Sequence, residues 1–170
     1  MTKFFNAAAL CVVFCALFAG CSNYRLAGTP IDLPFKAVYV KPVRNMSLAP
    51  QAANLLTNAI SDAISQTPDV RVANKDEADA VLETTIVGYA KYPYTTRVED
   101  TALASSYKIV AVAKCTLSAG GRTIFADRKV EAWTIVYMPQ ANLLNNEYQN
   151  MPVLMRELGV KIKDAVIGIW

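Results

Sequence analysis

The stretch SSYKIVAVAKCTLSAGGRTIFADRKVEAWTIV, residues 105–136, contains two strand-like runs joined by a pair of glycines. The second run, residues 123–136, follows the first across residues 118–122, where Gly120-Gly121 can adopt the positive φ that a tight hairpin turn requires. Residues 105–117 alternate at the period of a strand with one buried face, around Tyr107, Ile109, Ala111, Ala113 and Cys115. The stretch therefore predicts an antiparallel hairpin of two long strands.

Outward from this hairpin, the chain offers three further strand-like runs. Residues 80–92 are rich in Val, Thr, Ile and Tyr and predict a third long strand, with Val81 and Tyr89 on one face and Leu82 and Gly88 on the other. The polar residues 93–104 that follow predict a loop or the tip of a long hairpin. Residues 35–43 predict a first strand, residues 45–50 a turn, residues 70–73 a short strand and residues 74–78 a polar link.

Two segments have helical rather than strand periodicity. Residues 52–66 carry an apolar stripe at helical spacing, and we expect Pro50 in the first turn and residues 67–69 at the end. The C-terminal segment has the same spacing, with Asn150 as a candidate cap and Pro152 in the first turn. Its apolar positions are Met151, Leu154, Met155, Leu158, Ile162, Ala165, Val166 and Ile169.

The order of elements is strand, helix, short strand, three long strands and helix. Such an order predicts an α+β fold, a two-layer sandwich in which two α-helices pack on one face of a mixed, mainly antiparallel sheet of four to five strands. The first helix connects the first two strands, so we expect these strands to be parallel. The later hairpins are expected to be antiparallel.

The N-terminus has the layout of an export signal. Lys3 supplies a positive charge, residues 7–18 are apolar, and Ala19-Gly20 supplies small residues before a cleavage site. The apolar stretch is shorter than the about 20 residues that span a bilayer. The segment Leu17-Phe18-Ala19-Gly20-Cys21 resembles the bacterial lipobox, in which the Cys becomes acylated, although Phe18 stands where that pattern prefers Leu. An ordinary cleaved signal with an incidental Cys21 is the alternative.

These features divide the chain into three parts. We expect residues 1–20 to be a cleaved lipoprotein signal peptide, residues 21–34 a lipidated Cys21 with a short lead-in, and residues 35–170 a single α+β domain. Resemblance to lipoproteins implies covalent N-acyl and S-diacylglycerol groups on Cys21. Ser22, where sorting for the inner membrane would require Asp, implies passage to the outer membrane.

Composition excludes several classes of function. Removal of residues 1–20 takes away Lys3 and no acidic residue, which leaves a net charge of about +2, far below that of a general nucleic-acid binder. The chain has no histidine, so dyads that depend on His and ordinary Cys/His zinc sites are excluded. After processing and lipidation only Cys115 stays a free thiol, and its place in an apolar strand predicts a small core residue.

The carboxylates Asp76, Glu77 and Asp79 stand in a polar link where solvation or capping explains them. We expect neither an enzyme nor a metal or cofactor site.

A resemblance covers nearly the whole chain. The segment from Ala19 to Leu26, the strand Val38-Tyr39-Val40, the Thr96-Arg97 loop, the strand from Tyr107 to Leu117 and the last helix together resemble the lipopolysaccharide-assembly lipoprotein family LptE. This resemblance implies two helices on a four-stranded sheet. It also implies an outer-membrane lipoprotein that faces the periplasm or the barrel lumen, plugs an LptD-like β-barrel and assists lipopolysaccharide insertion.

The resemblance also indicates where lipopolysaccharide would bind. Arg97 matches a family arginine implicated in this contact, whereas Asn145 stands where the family has a second cation. Arg122, Arg128 and Lys129 surround the glycine hairpin and are candidates to compensate, because Arg and Lys bind phosphate through charge-assisted hydrogen bonds. A solvated Arg97 paired with an acidic neighbour, Glu99 or Asp100, is the alternative. Polar and tyrosine side chains expected on the outer faces of the strands suit a wet lumen: Thr84, Tyr89, Tyr92, Tyr94 and Tyr107.

Two functions from other classes stay open at this point. The first is a structural or interaction lipoprotein subunit of another envelope complex, which would bind protein and no lipid. The second is an envelope enzyme acting on glycans, which requires two carboxylates at a defined separation. The scattered acidic residues offer no such pair.

Overall fold

Three long antiparallel strands form the larger half of the sheet: β4 (Ala80–Thr96), β5 (Ala104–Ala119) and β6 (Arg122–Tyr137). The computed structural model describes residues 33–68, 70–96, 104–137 and 143–168. Gly120 (φ 55°) and Gly121 (φ 75°) make the turn between β5 and β6, so the predicted hairpin is confirmed. Strand β4 is longer than expected, because residues 93–96 continue the pairing with β5 instead of forming a loop.

The smaller half of the sheet is parallel. Strand β1 (Ala37–Val40) lies between β3 (Arg71–Val72) and β4, and the order is β3-β1-β4-β5-β6. The expected parallel pairing of β1 with β3 is confirmed. Strand β2 (Arg44–Asn45) pairs with Thr85 and Ile86 of β4, although Asn45 was expected to begin a turn. This pairing makes a sheet of six strands rather than four to five.

The two helices are α1 (Ala52–Ser65) and α2 (Leu143–Ile167). Pro50 lies outside α1, because Gln51 before the helix has a positive φ of 53°. Helix α2 begins earlier than predicted, so Asn150 and Pro152 lie inside it rather than at its start. Neither helix has the length and apolar character needed to cross a membrane, within the residues that the structure describes.

The core lies between the helices and one face of the sheet, as the predicted α+β sandwich requires. Leu56, Ile60, Leu158 and Ile162 are completely buried there. A Cβ atom on Gly159 would lie 2.9 Å from the backbone carbonyl carbon of Ala59, so the backbones of α1 and α2 approach closely at this glycine. We call the side of β4, β5 and β6 that packs on the helices the covered face and the opposite side the open face.

A bulge in β4 exchanges the two faces midway along the strand. Leu82, Thr84 and Ile86 lie on the covered face, and the register then shifts between Ile86 and Gly88. Tyr89 consequently reaches the covered face, whereas Gly88 lies on the open face. The uninterrupted alternation predicted for residues 80–92 is therefore wrong beyond Ile86, because a bulge adds one residue to one strand of a pair.

Candidate functional site

The open face combines apolar, aromatic and charged side chains. Val87 is 40% exposed, Trp133 48% and Tyr137 70%. On the same face of β5, Lys108, Val110 and Val112 are only partly buried, although the residues between them on the covered face are fully buried. Among the described residues, large hydrophobic side chains are therefore in contact with solvent on this side of the sheet.

A groove of about 490 Å³ runs along the open face. Gly88 and Ala90 line it with little side-chain volume, and the adjacent Tyr92 and Tyr94 are more than half exposed. Lys108 and Lys129 also line the groove, together with Glu131. Small residues beside bulky ones thus make a depression in a surface that would otherwise be nearly flat.

The two lysines of the groove differ in their partners. The Lys108 ammonium lies 4.6 Å from the centroid of the Trp133 ring, and it has no carboxylate partner within the described part of the chain. The Lys129 side chain is 66% exposed, and its ammonium is 3.6 Å from Glu131. Cation–π contacts and exposed ion pairs are weak, so both ammonium groups stay accessible to an anion.

Arg128, one of the predicted lipopolysaccharide contacts, points to the covered side instead. Its Nη1 donates a hydrogen bond to the carbonyl oxygen of Ala165 at 3.0 Å, and its guanidinium lies 4.6 Å from the Phe125 ring. Carbonyls in the last turn of a helix lack partners within the helix, and Arg side chains can satisfy them. Arg128 therefore joins β6 to the end of α2.

The other predicted contacts are dispersed. Arg122 is exposed at the glycine hairpin, beside Pro34 and Ile124, while Lys129 faces the groove. Arg128 and Lys129 are consecutive residues in the regular part of the β5–β6 pairing, so they lie on opposite faces of the sheet. Arg97 with its proposed partners Glu99 and Asp100, Cys21, and the side chain of Asn145 lie outside the described residues.

A cluster of three polar side chains holds α2 against β4 on the covered face. Glu147 is 4% exposed and accepts hydrogen bonds from the Tyr89 hydroxyl and the Lys91 ammonium. Burial, and then the hydrogen bond and charge of Glu147, raise the pKa of Tyr89 far above its usual range. Tyr89 is therefore a structural residue and not part of an outer polar surface, as was expected for it.

Thr84 and Cys115 are also buried on the covered face, at 3% and 0% exposure. The Thr84 hydroxyl donates to the Cys115 sulfur at 3.7 Å. Burial raises the pKa of the Cys115 thiol to about 11, although the Thr84 hydrogen bond acts in the opposite direction. The expected core role of Cys115 is confirmed, and the outer position expected for Thr84 is wrong.

The polar link before β4 has structural roles. Asp79 accepts hydrogen bonds from the backbone N–H groups of Lys36 and Ala37 at 3.2 and 3.1 Å, and Glu77 forms an exposed pair with Arg71 at 3.7 Å. Asp79 therefore connects the link to the start of β1. Among the described residues, no group of three or more Cys, Asp or Glu side chains is arranged to hold a metal ion.

Sequence reasoning missed Lys108 and Trp133. Both positions follow from simple alternation, since Lys108 precedes the buried Ile109 and Trp133 follows the buried Ala132. Gly88 was the signal for the bulge, because an isolated glycine inside a strand often marks one. Together these observations define a class: a small α+β domain with two helices on one face of an unclosed sheet and an accessible opposite face.

The family follows from sequence comparison. The model of the lipopolysaccharide-assembly family LptE matches residues 35–161, which is most of the chain. The chain belongs to the LptE family, a family of lipoproteins of lipopolysaccharide assembly. No protein of curated function matches the chain at a significant level of sequence similarity.

Solved structures support the fold. Protein XCC0632 from Xanthomonas campestris is 10% identical and has a TM-score of 0.56, with 84% of this chain and 88% of that chain covered. The hypothetical protein CT253 from Chlamydia trachomatis is 12% identical, with a TM-score of 0.55 and coverages of 78% and 96%. A minor lipoprotein from Acinetobacter baumannii is also 12% identical, with a TM-score of 0.52 and coverages of 80% and 95%. At these identities the likeness concerns the fold alone.

Proposed function

We propose that this protein is an outer-membrane lipoprotein that assembles with an LptD-like β-barrel as its plug and assists the insertion of lipopolysaccharide into the outer leaflet. The observation that carries the proposal is the family match over residues 35–161, which includes both helices and all long strands apart from the last residues of α2. Both the fold expected for the family and the fold of this chain place two helices on one mixed sheet, although the sheet here has six strands.

The anchor would come from acyl groups on Cys21. One acyl chain binds membranes only marginally and reversibly, whereas two or more hold a protein stably. Residues 21–34 extend at most about 50 Å even when fully stretched. This reach suits a partner seated in the membrane and not one deep in the periplasm.

The open face supports the plug role. The lumen of a large β-barrel is polar and filled with water. A plug therefore needs a surface that is stable in water and carries polar groups for contacts with the barrel wall. Exposed Tyr92 and Tyr94, with Lys108 and Lys129 nearby, present hydrogen-bonding groups and positive charge on a rigid sheet. The covered face supplies the stability that such an accessible surface cannot provide.

Co-purification tests the partnership. The full chain carrying a C-terminal tag is extracted from outer membranes in mild detergent, and we expect it to bring down a large β-barrel protein. An unrelated outer-membrane lipoprotein with the same tag is the control. Capture without any barrel would favour the alternative, a structural subunit of another envelope complex. Cys21→Ala should move the protein out of the outer-membrane fraction.

The predicted contact at Arg97 has its own test. We expect Arg97→Glu to weaken lipopolysaccharide binding by the full chain without lowering its melting temperature. Lys75 is exposed in the link before β4, so Lys75→Glu is the matched control for the change in charge. Unchanged binding of Arg97→Glu would assign Arg97 to a solvated ion pair instead.

A further inference from the structure

We propose that the groove on the open face binds the phosphorylated sugar head of lipopolysaccharide, with Lys108 and Lys129 contacting phosphate and the exposed tyrosines contacting the sugar. The inference rests on the proposed function, because lipopolysaccharide is the ligand it assumes. It assigns the ligand to residues in the middle of the sheet, away from the hairpin cations and the Arg97 loop that the sequence favoured.

The shape of the groove suits a ring-shaped, partly polar ligand. Gly88 and Ala90 leave space between the strands, and Val110 and Val112 add an apolar floor on β5. Tyr92 and Tyr94 stand beside this space with more than half of their surface exposed. Aromatic rings offer a flat apolar surface and, in tyrosine, a polar tip. A sugar ring can pack its C–H face on the apolar surface and form hydrogen bonds with the polar tip. Ligand sites commonly combine apolar and aromatic walls with a few placed polar groups.

The charges suit two separated phosphates. Lys129 is paired in register with Lys114, six residues from Lys108 along β5, which is about 20 Å between backbone positions. The lysines therefore approach the groove from opposite ends. Lys108 lies on the Trp133 ring and not on a carboxylate within the described residues, so its ammonium has hydrogen bonds to donate. Charge-assisted hydrogen bonds to phosphate are the strong ones.

Glu131 is the acidic residue of the groove, so its removal should change binding in the direction opposite to removal of a lysine. It lines the same groove and lies 3.6 Å from the Lys129 ammonium, so it opposes an anionic ligand. Its backbone carbonyl, not its side chain, accepts the hydrogen bond from Lys161. Glu131→Gln therefore removes a negative charge from the groove and keeps this tie to α2.

The experiment measures the Kd of the full chain, in mild detergent, for diphosphoryl lipid A and for the same lipid without phosphates. We expect Lys108→Gln to weaken binding of diphosphoryl lipid A about tenfold, and Glu131→Gln to tighten it about two- to fivefold. Ala90→Phe fills the groove without a change in charge and should weaken binding of both lipids. Lys75→Gln, in the link at the other end of β4, should change nothing.

Several results would overturn the inference. If the wild type binds and both Lys108→Gln and Ala90→Phe bind equally well, the ligand lies elsewhere, whereas capture of the barrel would still support the proposed function. If dioleoylphosphatidylglycerol or inorganic phosphate competes as well as lipid A, the groove recognises an anion and no sugar. If the wild type binds no lipid A, the groove proposal fails and the barrel partnership is judged on its own test. Should Ala90→Phe not fold, the opposite signs expected for Lys108→Gln and Glu131→Gln still decide the matter.

Discussion

The covered and open faces are built from the same three strands, yet they carry different chemistry. On the covered face, Leu82, Ile86, Ala111 and Ala113 are 0% exposed. On the open face, aromatic and cationic side chains such as Trp133 are half exposed. Because side chains alternate along a strand, residues that stabilise the domain and residues available for binding are direct neighbours in sequence. A substitution on the covered face should therefore affect stability, and a substitution of the next residue, on the open face, should affect binding.

Polar groups sharpen this contrast. On the covered face, Glu147 is bonded to Tyr89 and Lys91, and Thr84 to Cys115. Burying a polar group without a partner is costly, so the partners of these groups lie within the fold. On the open face, Lys108 contacts a ring instead of a carboxylate among the described residues. Its unused hydrogen bonds are accessible from solvent, where a ligand can take them.

The largest effect should come from Ile109, which is 2% exposed on the covered face. We expect Ile109→Ala to lower the free energy of unfolding by about 2–5 kcal/mol, because it removes buried methyl groups and leaves a cavity. Urea denaturation followed by circular dichroism measures the change. The neighbouring Val110→Ala, in the groove, should cost about 1 kcal/mol or less and should weaken lipid A binding instead. Equal losses of stability in the two variants would remove the distinction between the faces.

The thiol of Cys115 should make stability depend on pH in the alkaline range. Its pKa in the folded protein is raised from 9.0 to about 11, so between these values the unfolded chain loses a proton that the folded protein keeps. The contribution of the thiol is complete below pH 9 and is lost as pH rises through 11, by about 3 kcal/mol in all. The difference in unfolding free energy between wild type and Cys115→Ala should shrink by about 2 kcal/mol between pH 8 and pH 11. A difference independent of pH would mean that water reaches the thiol.

Most of the fold could be predicted because the deciding signals are local. Alternation over residues 105–117 and the Gly120-Gly121 turn depend on neighbours in the chain, and both predictions are confirmed. The strand at Arg44–Asn45 could not be found, because two residues carry no period and their pairing with Thr85 and Ile86 is a tertiary contact. The start of α2 was missed for a related reason. Pro152 normally marks a first turn, but Glu147, held by β4, keeps the preceding turns in place.

The candidate site was less predictable than the fold. Sequence proximity to the glycine hairpin grouped Arg122, Arg128 and Lys129, although alternation along β6 places Arg128 and Lys129 on opposite faces and Arg128 bonds to the end of α2. The groove depends on the bulge at Val87, which places Gly88 and Ala90 on the open face. A single glycine suggests a bulge, but the sequence does not say which side chains change face. The roles of Arg97 and Cys21 stay predictions.

Tyr89 tests the exchange of faces at the bulge. We expect Tyr89→Phe to lower the free energy of unfolding by about 1–2 kcal/mol, because the buried Glu147 carboxylate loses a hydrogen bond that water cannot fully replace. Thermal melting of the variant beside Tyr92→Phe, whose hydroxyl is on the exposed side, measures the effect. Tyr92→Phe should be neutral within about 0.5 kcal/mol. If the two variants behave alike, Tyr89 does not reach the covered face.

The smallest effect on stability should come from the residue expected to matter most for binding. Lys108→Gln removes a cation–π contact with Trp133, which at an exposed site contributes about 0.5–1 kcal/mol, and it leaves no buried group without a partner. Urea denaturation should therefore detect a loss of about 1 kcal/mol at most. A larger loss would mean that Lys108 belongs to the fold, and weakened lipid binding by this variant would then have a structural cause. A small loss of stability together with weakened lipid binding would show that this open-face residue acts in binding and not in folding.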